Sequence, residues 1–187
     1  MRKIKKTIYI AIFVSLAAQI RFNFLTDGFI IAMSVLVMAI FIYCYEDLSA
    51  RYVAFCSGIF SPLVRLLIQV LEGEALSEAA ALVVPDMTFF FAYGLFYPLI
   101  YKYIIRAPKS IRNFAYVALA CDFLSNMMEL AVRSVQQGAS LITPENVVYL
   151  FLIALCRTVL VLSLIHIWRR RYRGSAGRLP FPQKRRA

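Results

Sequence analysis

The sequence contains few of the residues from which most enzyme active sites are built. Its 187 residues include one histidine, four cysteines and only 10 acidic residues. None of the cysteines has the C-x-x-C spacing of a zinc or redox site, and the sequence has no P-loop, glycine-rich nucleotide loop or catalytic triad. We therefore expect no enzyme activity, no cofactor and no metal ion. The cysteines are expected to be packing residues, and His166 an interfacial residue.

Apolar residues, in contrast, are abundant. They make up 61% of the chain, with a mean hydropathy of +0.72, whereas a soluble domain has about 45–50%. Many of them form runs of about 18–22 residues, which is close to the length that an α-helix needs to cross about 30 Å of hydrocarbon. The sequence therefore predicts an all-α membrane protein embedded in a lipid bilayer. The six predicted spans are residues 7–22, 28–45, 52–71, 87–105, 113–132 and 146–167.

The net charge of +11 predicts an orientation rather than a nucleic-acid partner. If the N-terminus is cytoplasmic, all lysines and arginines except Arg21, Arg65, Arg133 and Arg157 lie at the cytoplasmic side of the spans. This bias is the positive-inside pattern of multi-pass membrane proteins. We expect both termini in the cytoplasm and the protein in the cytoplasmic (inner) membrane of a bacterium.

The sequence supports a separate prediction for each of three further features. The first apolar run could also be a cleaved secretory signal, because small residues follow it. Residues 74–82 are expected to form a surface-lying or capping helix that ends before Pro85. After the domain of residues 1–168, the segment 169–187 is rich in basic residues, glycine and proline. It is expected to be a disordered cytoplasmic tail, which either binds anionic lipid or has no selected role.

The fifth predicted span carries an unusual stripe of polar side chains. Asp122, Asn126, Glu129 and Arg133 stand at positions i, i+4, i+7 and i+11, which places them on one helical face. Such a face is costly in lipid, so it is expected to point into the bundle. Matching the depths of charges in neighbouring spans predicts two ion pairs that hold the helices in register. These are Asp122 with Arg157, and Glu129 with Arg65.

The outer end of the bundle gathers more polar groups than two ion pairs require. We therefore expect an outward-facing pocket that binds a small extracellular ligand. Tyr93 is the aromatic residue expected to stack against a bound ring. The other predicted ligand-binding residues are Arg21, Asn23, Asp27, Arg65, Asn126, Glu129 and Arg133.

Several polar segments recur in an order that resembles a known family. They are IRFN at 20–23, TDGF at 26–29, SGIF at 57–60 leading to Arg65, FAYGLF at 91–96 and CDFLSN at 121–126. Residues 1–167 resemble the N-terminal multi-helix membrane region of bacterial sensor histidine kinases. The resemblance implies a sensory input domain whose partner is a cytoplasmic kinase. This chain lacks the phospho-accepting histidine and ATP-binding motifs of that family, so the catalytic portion is expected to be absent.

The six-helix plan is also similar to the S components of energy-coupling-factor vitamin transporters. That resemblance implies an S-component-like bundle with an outward-opening ligand pocket. Small residues on the first helix, here Ala11 and Ser15, would then contact a coupling subunit. Three functions are left open by the sequence: a sensory module, a transporter substrate-binding subunit, and a structural membrane protein without a ligand.

Overall fold

The described part of the chain folds into a bundle of six α-helices. The structure is a computed structural model that describes residues 2–23, 30–45, 48–73, 76–105 and 110–173. The helices are α1 (Arg2–Ala17), α2 (Met33–Cys44), α3 (Ala50–Leu71), α4 (Leu76–Leu99), α5 (Ile111–Gln137) and α6 (Pro144–Arg173). A π-helical segment, Ile100–Ile105, continues α4. The predicted all-α class is thus confirmed, apart from one very short strand pair.

The strand pair lies between the first two helices and shortens the predicted spans there. Strand β1 (Arg21–Asn23) pairs antiparallel with β2 (Ile30–Ala32), with Phe22 opposite Ile31. Helix α1 therefore ends at Ala17 rather than near residue 22. Helix α2 has 12 residues, which is about 18 Å at 1.5 Å per residue.

Four of the helices are long and apolar enough to cross a membrane. They are Ala50–Leu71, Val83–Tyr103, Ile111–Gln137 and Pro144–Arg170. Helix α2 is apolar but shorter than this requirement. A membrane protein with four candidate spans is therefore shown, whereas six spans and the direction of the termini stay predictions.

The bundle has its polar groups inside and much of its apolar surface outside. Asp122, Ser125 and Arg157 are buried, while Leu67, Tyr116 and Val159 are more than half exposed. Water would drive the opposite distribution, but lipid tails solvate apolar side chains and leave polar groups no partner. This distribution is what a bundle surrounded by hydrocarbon requires.

The most extensive packing in the bundle is between α3 and α4. A Cβ added at Gly94 of α4 would lie 3.1 Å from Ala54 Cβ and 3.3 Å from the backbone oxygen of Arg51. A Cβ added at Gly58 of α3 would lie 3.1 Å from Phe90 Cβ. Small residues thus allow the two helices to approach closely, as they do in many membrane bundles.

Helix α4 begins earlier than the sequence indicates. The prediction of a separate surface helix at 74–82 is wrong, because the described part of this segment is the first part of α4, and Pro85 lies inside that helix. Proline lacks the N–H that would bond to the carbonyl of Ala81, four residues earlier. Gln136 Nε2 of α5 donates to that carbonyl oxygen at 3.0 Å. A neighbouring helix thus satisfies the group that Pro85 leaves free, which allows the helix to continue.

Each of the helices from α3 to α6 packs against the next helix along the chain. Their termini therefore gather at two ends of the bundle. The polar end holds the C-termini of α3 and α5 and the N-termini of α4 and α6. Here Gly138 ends α5 in the left-handed conformation, with a φ of 64°. The far end holds the opposite termini. Helix α6 reaches Arg173 there, so the predicted start of the tail, after Trp168, lies within a helix, and residues 174–187 lie outside the described residues.

Candidate functional site

The polar stripe of α5 points into the bundle, as its spacing predicts. Asp122 and Asn126 are buried, and Glu129 and Arg133 are partly buried. Asn126 Nδ2 donates to the backbone oxygen of Asp122 at 2.6 Å and to its Oδ1 at 2.8 Å. The asparagine therefore fixes the carboxylate of the residue one turn before it.

Asp122 forms the deepest ion pair of the site. Arg157 Nη1 of α6 donates to Asp122 Oδ1 at 3.0 Å, and the two side chains are 7% and 3% exposed, respectively. The structure thus brings together the two residues that were matched by depth. This pair joins α5 to α6 in the interior of the bundle.

The second predicted pair, Glu129 with Arg65, is wrong. Arg65 of α3 forms a salt bridge with Asp86 of α4. Glu129 Oε1 instead accepts two bonds from Arg133 of its own helix, at 3.0 Å from Nε and 2.7 Å from Nη2. The physical reason is the early start of α4, which buries Asp86 between the helices as a counter-ion for Arg65.

Arg133 links these two outer pairs. Its Nη2 atom also lies 3.9 Å from Asp86 Oδ1. The three ion pairs form a gradient of exposure. Arg157 and Asp122 are the most buried, Arg65 and Asp86 are 12% and 11% exposed, and Arg133 and Glu129 are 31% and 21% exposed.

A cavity of about 390 Å³ opens among these side chains at the polar end. This volume lies in the range of small-molecule sites. Its ionisable lining residues are Arg65, Asp86, Glu129, Arg133 and Arg157. Its other lining residues include Ser61 and Asn126, and an apolar wall of Phe89, Phe90, Leu130, Leu150 and Ile153. Four of the predicted ligand-binding residues thus line one cavity: Arg65, Asn126, Glu129 and Arg133.

Tyr93 does not line the cavity. It is fully buried on α4 and belongs to an aromatic column on one face of that helix. Its ring centroid lies 6.3 Å from Phe89 and 6.2 Å from Tyr97, and Tyr97 stacks on Tyr101 at 6.2 Å. In this structure Tyr93 is therefore not placed to stack on a ligand in the cavity, because the four-residue spacing places its ring among its own neighbours.

Three predicted ligand-binding residues are not placed in the cavity by the described structure. Arg21 and Asn23 lie in β1, and Asp27 lies outside the described residues. Their role in ligand binding stays a prediction. Ser61 is a cavity residue that is not among the predicted ones. It stands one turn before Arg65 on α3, and that spacing could have identified it.

A second, smaller cavity of about 230 Å³ lies at the far end. Its walls are mainly aromatic and include Tyr43, Tyr97, Tyr101, Phe114 and Trp168. Arg169 lies over the ring of Tyr43, 5.4 Å from its centroid. The aromatic column of α4 therefore extends from Phe89 at the charged cavity to Tyr101 at this one.

The arrangement at the polar end is suited to binding a small polar molecule. Among the described residues, no group of three or more His, Cys, Asp or Glu side chains is arranged to hold a metal ion. What the cavity offers is fixed charge and hydrogen-bonding groups beside an apolar wall. Comparison of the chain with protein-family models, with curated proteins and with solved structures finds no match.

Proposed function

We propose that this chain is an integral-membrane sensory module that binds a small extracellular ligand in the charged cavity. One observation carries the proposal: five ionisable side chains line a cavity in a bundle whose outer surface is largely apolar. Ionisable residues at membrane depth are costly, so they indicate a functional site unless they are needed for structure.

A purely structural role explains only part of this cluster. The pairs Asp122–Arg157 and Arg65–Asp86 each join two helices and so can hold the bundle together. Glu129 and Arg133 both belong to α5, so the bond between them joins no helices. The contact of this pair with another helix is the longer one of 3.9 Å between Arg133 Nη2 and Asp86 Oδ1 of α4. Glu129 and Arg133 are also the most exposed members of the cluster. A charged pair that points into a cavity and reaches another helix by one long contact is better explained by ligand recognition.

The path of α6 supports sensing. Leu150, Ile153 and Arg157 of this helix line the cavity, and the same helix continues without a break to Arg173 at the far end. A ligand that shifts α6 at the polar end therefore acts on a rigid element that reaches the opposite side. A cytoplasmic kinase is the partner that the family resemblance implies for this output.

The transporter alternative receives less support from α1. Ala11 and Ser15, the small residues that a coupling subunit would contact in an S component, are 0% and 1% exposed. Ser15 Oγ donates to the backbone oxygen of Ala11 at 2.7 Å, and α1 packs against α3 and α2. A face that the chain's own helices already cover is not available to a second subunit.

Thermal unfolding of the purified protein tests ligand binding. The wild-type protein, Glu129→Gln and the control Glu145→Gln would be screened in detergent against a panel of small polar molecules. Glu145 is exposed at the start of α6 and does not line the cavity. We expect at least one compound to raise the melting temperature of the wild type and the control but not of Glu129→Gln. Failure of every compound to stabilise the wild type would refute the proposal.

The outward orientation of the polar end is tested by labelling. Single cysteines would be introduced at Ala139, in the α5–α6 turn, and at Ser49, before α3, in a variant without the native cysteines. Ser49 makes no side-chain cap bond, so its replacement removes no contact of that kind. An impermeant thiol reagent added outside cells should label position 139 and not position 49. The reverse result would place the cavity on the cytoplasmic side.

A further inference from the structure

We infer that the charged cavity binds a small zwitterion, with its oxyanion against α3 and its ammonium group against α5. The inference rests on the proposed function, because it names the class of ligand for the same site. It follows from which hydrogen-bonding atoms of the cavity are used within the protein and which are left over.

The α3 side of the cavity offers hydrogen-bond donors. Arg65 pairs with Asp86 through Nη1, and within the described part of the chain its Nε and Nη2 have no hydrogen-bond acceptor. Ser61, one turn earlier, is 1% exposed and lines the cavity. Its hydroxyl likewise has no hydrogen-bond partner among the described residues. A guanidinium with free N–H groups next to a hydroxyl is suited to a carboxylate or another oxyanion.

The α5 side of the cavity offers acceptors. Glu129 uses Oε1 for both of its bonds with Arg133, which leaves Oε2 without a donor among the described residues. Asn126 uses Nδ2 for both of its bonds with Asp122, which leaves Oδ1 to accept. A carboxylate oxygen and an amide oxygen on adjacent turns of one helix are suited to an ammonium group.

The balance of charge favours a ligand with no net charge. Among the residues that the structure describes, the cluster pairs three arginines with three carboxylates: Arg65 with Asp86, Arg133 with Glu129, and Arg157 with Asp122. A ligand with one net charge would add an uncompensated charge to a partly buried site, which is costly. A zwitterion supplies both signs and keeps the site neutral.

The apolar wall indicates the rest of the ligand. Phe89, Phe90, Leu130 and Ile153 line the same cavity, so an apolar substituent can pack beside the charged groups. An α-amino acid with an apolar side chain combines all three features. A phosphatidylethanolamine headgroup presents the same oxyanion and ammonium groups from the lipid, so the test must separate these two sources.

The experiment compares one ligand with its two halves. Binding of L-phenylalanine, 3-phenylpropionate and phenethylamine to the full chain would be measured by calorimetry in detergent without added phospholipid. We expect L-phenylalanine to bind at least about tenfold more tightly than either half, because each half leaves one wall of the cavity without its charged partner. Arg65→Gln should weaken L-phenylalanine and 3-phenylpropionate alike, while Glu129→Gln should weaken only L-phenylalanine and phenethylamine. Arg51→Gln, at an exposed position on the far end, is the matched control.

The source of the zwitterion is tested in nanodiscs of phosphatidylglycerol with and without phosphatidylethanolamine. Competition by phosphatidylethanolamine would support the zwitterion with a lipid as its source, and an unchanged affinity would support a free amino acid. If 3-phenylpropionate or phenethylamine binds as tightly as L-phenylalanine, the inference is overturned while the proposed binding function stands. If neither these probes nor phosphatidylethanolamine binds the wild type but a panel compound that is not a zwitterion does, the inference again falls alone. Binding of another zwitterion of the panel would support the inference. If nothing binds, both fall. The comparison of wild-type affinities decides the matter even if a variant fails to fold.

Discussion

Replacing Asp122 with asparagine should destabilise the bundle more than removing any charge at the mouth of the cavity. Asp122 and Arg157 are the most buried ion pair, with side chains 3% and 7% exposed and a nitrogen to oxygen distance of 3.0 Å. The asparagine keeps the shape of the side chain but leaves Arg157 charged at a buried position. Breaking such a pair from one side costs about 3–5 kcal/mol.

Two further variants test whether the loss of stability in Asp122→Asn comes from breaking a buried ion pair. The double variant Asp122→Leu, Arg157→Met removes both charges and fills the space with apolar atoms. Because replacing a buried pair in this way is often neutral or stabilising by about 1–4 kcal/mol, it should recover most of the loss. Glu129→Gln affects a pair that is 21% and 31% exposed, and partly exposed pairs contribute only about 0–1 kcal/mol.

The measurement is the free energy of unfolding of each variant by titration with denaturing detergent in mixed micelles. The expected order of loss is Asp122→Asn first, then Glu129→Gln, with the double variant close to the wild type. A loss below about 1 kcal/mol for Asp122→Asn would show that water reaches Arg157. That result would contradict the burial gradient and the assignment of the pair as a structural contact.

Two further predictions concern the packing of α4. Gly94→Ala should destabilise the protein by about 1–3 kcal/mol through overpacking. Adding Ala54→Gly to the same chain should recover part of the loss, because the Cβ added at position 94 would lie 3.1 Å from that of Ala54. Equal unfolding free energies of the wild type and Gly94→Ala would contradict this prediction. Gln136→Ala should cost about 0.5–1.5 kcal/mol by removing the donor to the Ala81 carbonyl. In a Pro85→Ala background, which restores a backbone N–H for that carbonyl, the same substitution should cost nothing, and an equal loss in both backgrounds would refute the contact.

The sequence was sufficient to predict the interior face of the site. The spacing of Asp122, Asn126, Glu129 and Arg133 follows the helical repeat, and a helix in lipid turns such a face inward whatever its neighbours are. The partner of Asp122 also followed from depth, because Arg157 is the charge of opposite sign at a similar level of the next helix. These inferences needed only the geometry of single helices.

The remaining contacts depended on where helices begin, which the sequence indicates poorly. Pro85 looks like a helix boundary, since it lacks a backbone N–H. Gln136 nevertheless supplies a substitute donor to the carbonyl of Ala81, which is 55 residues away in the chain. The continued helix buries Asp86 beside Arg65, and Glu129 is then left to Arg133. One long-range hydrogen bond of a side chain thus accompanies a different pairing of four charged residues, and no local pattern predicts it.

The aromatic column of α4 gives the protein an optical reporter of its own. Trp168 is the single tryptophan of the chain, and it shares the far-end cavity with Tyr97 and Tyr101. Light absorbed by these tyrosines can be transferred to the indole, and the efficiency of transfer depends on their separation. The emission of Trp168 on excitation of tyrosine therefore depends on the distances between the indole and the tyrosines around it at the far end of the bundle. It can be followed while a ligand is added at the other end, in protein that carries no label.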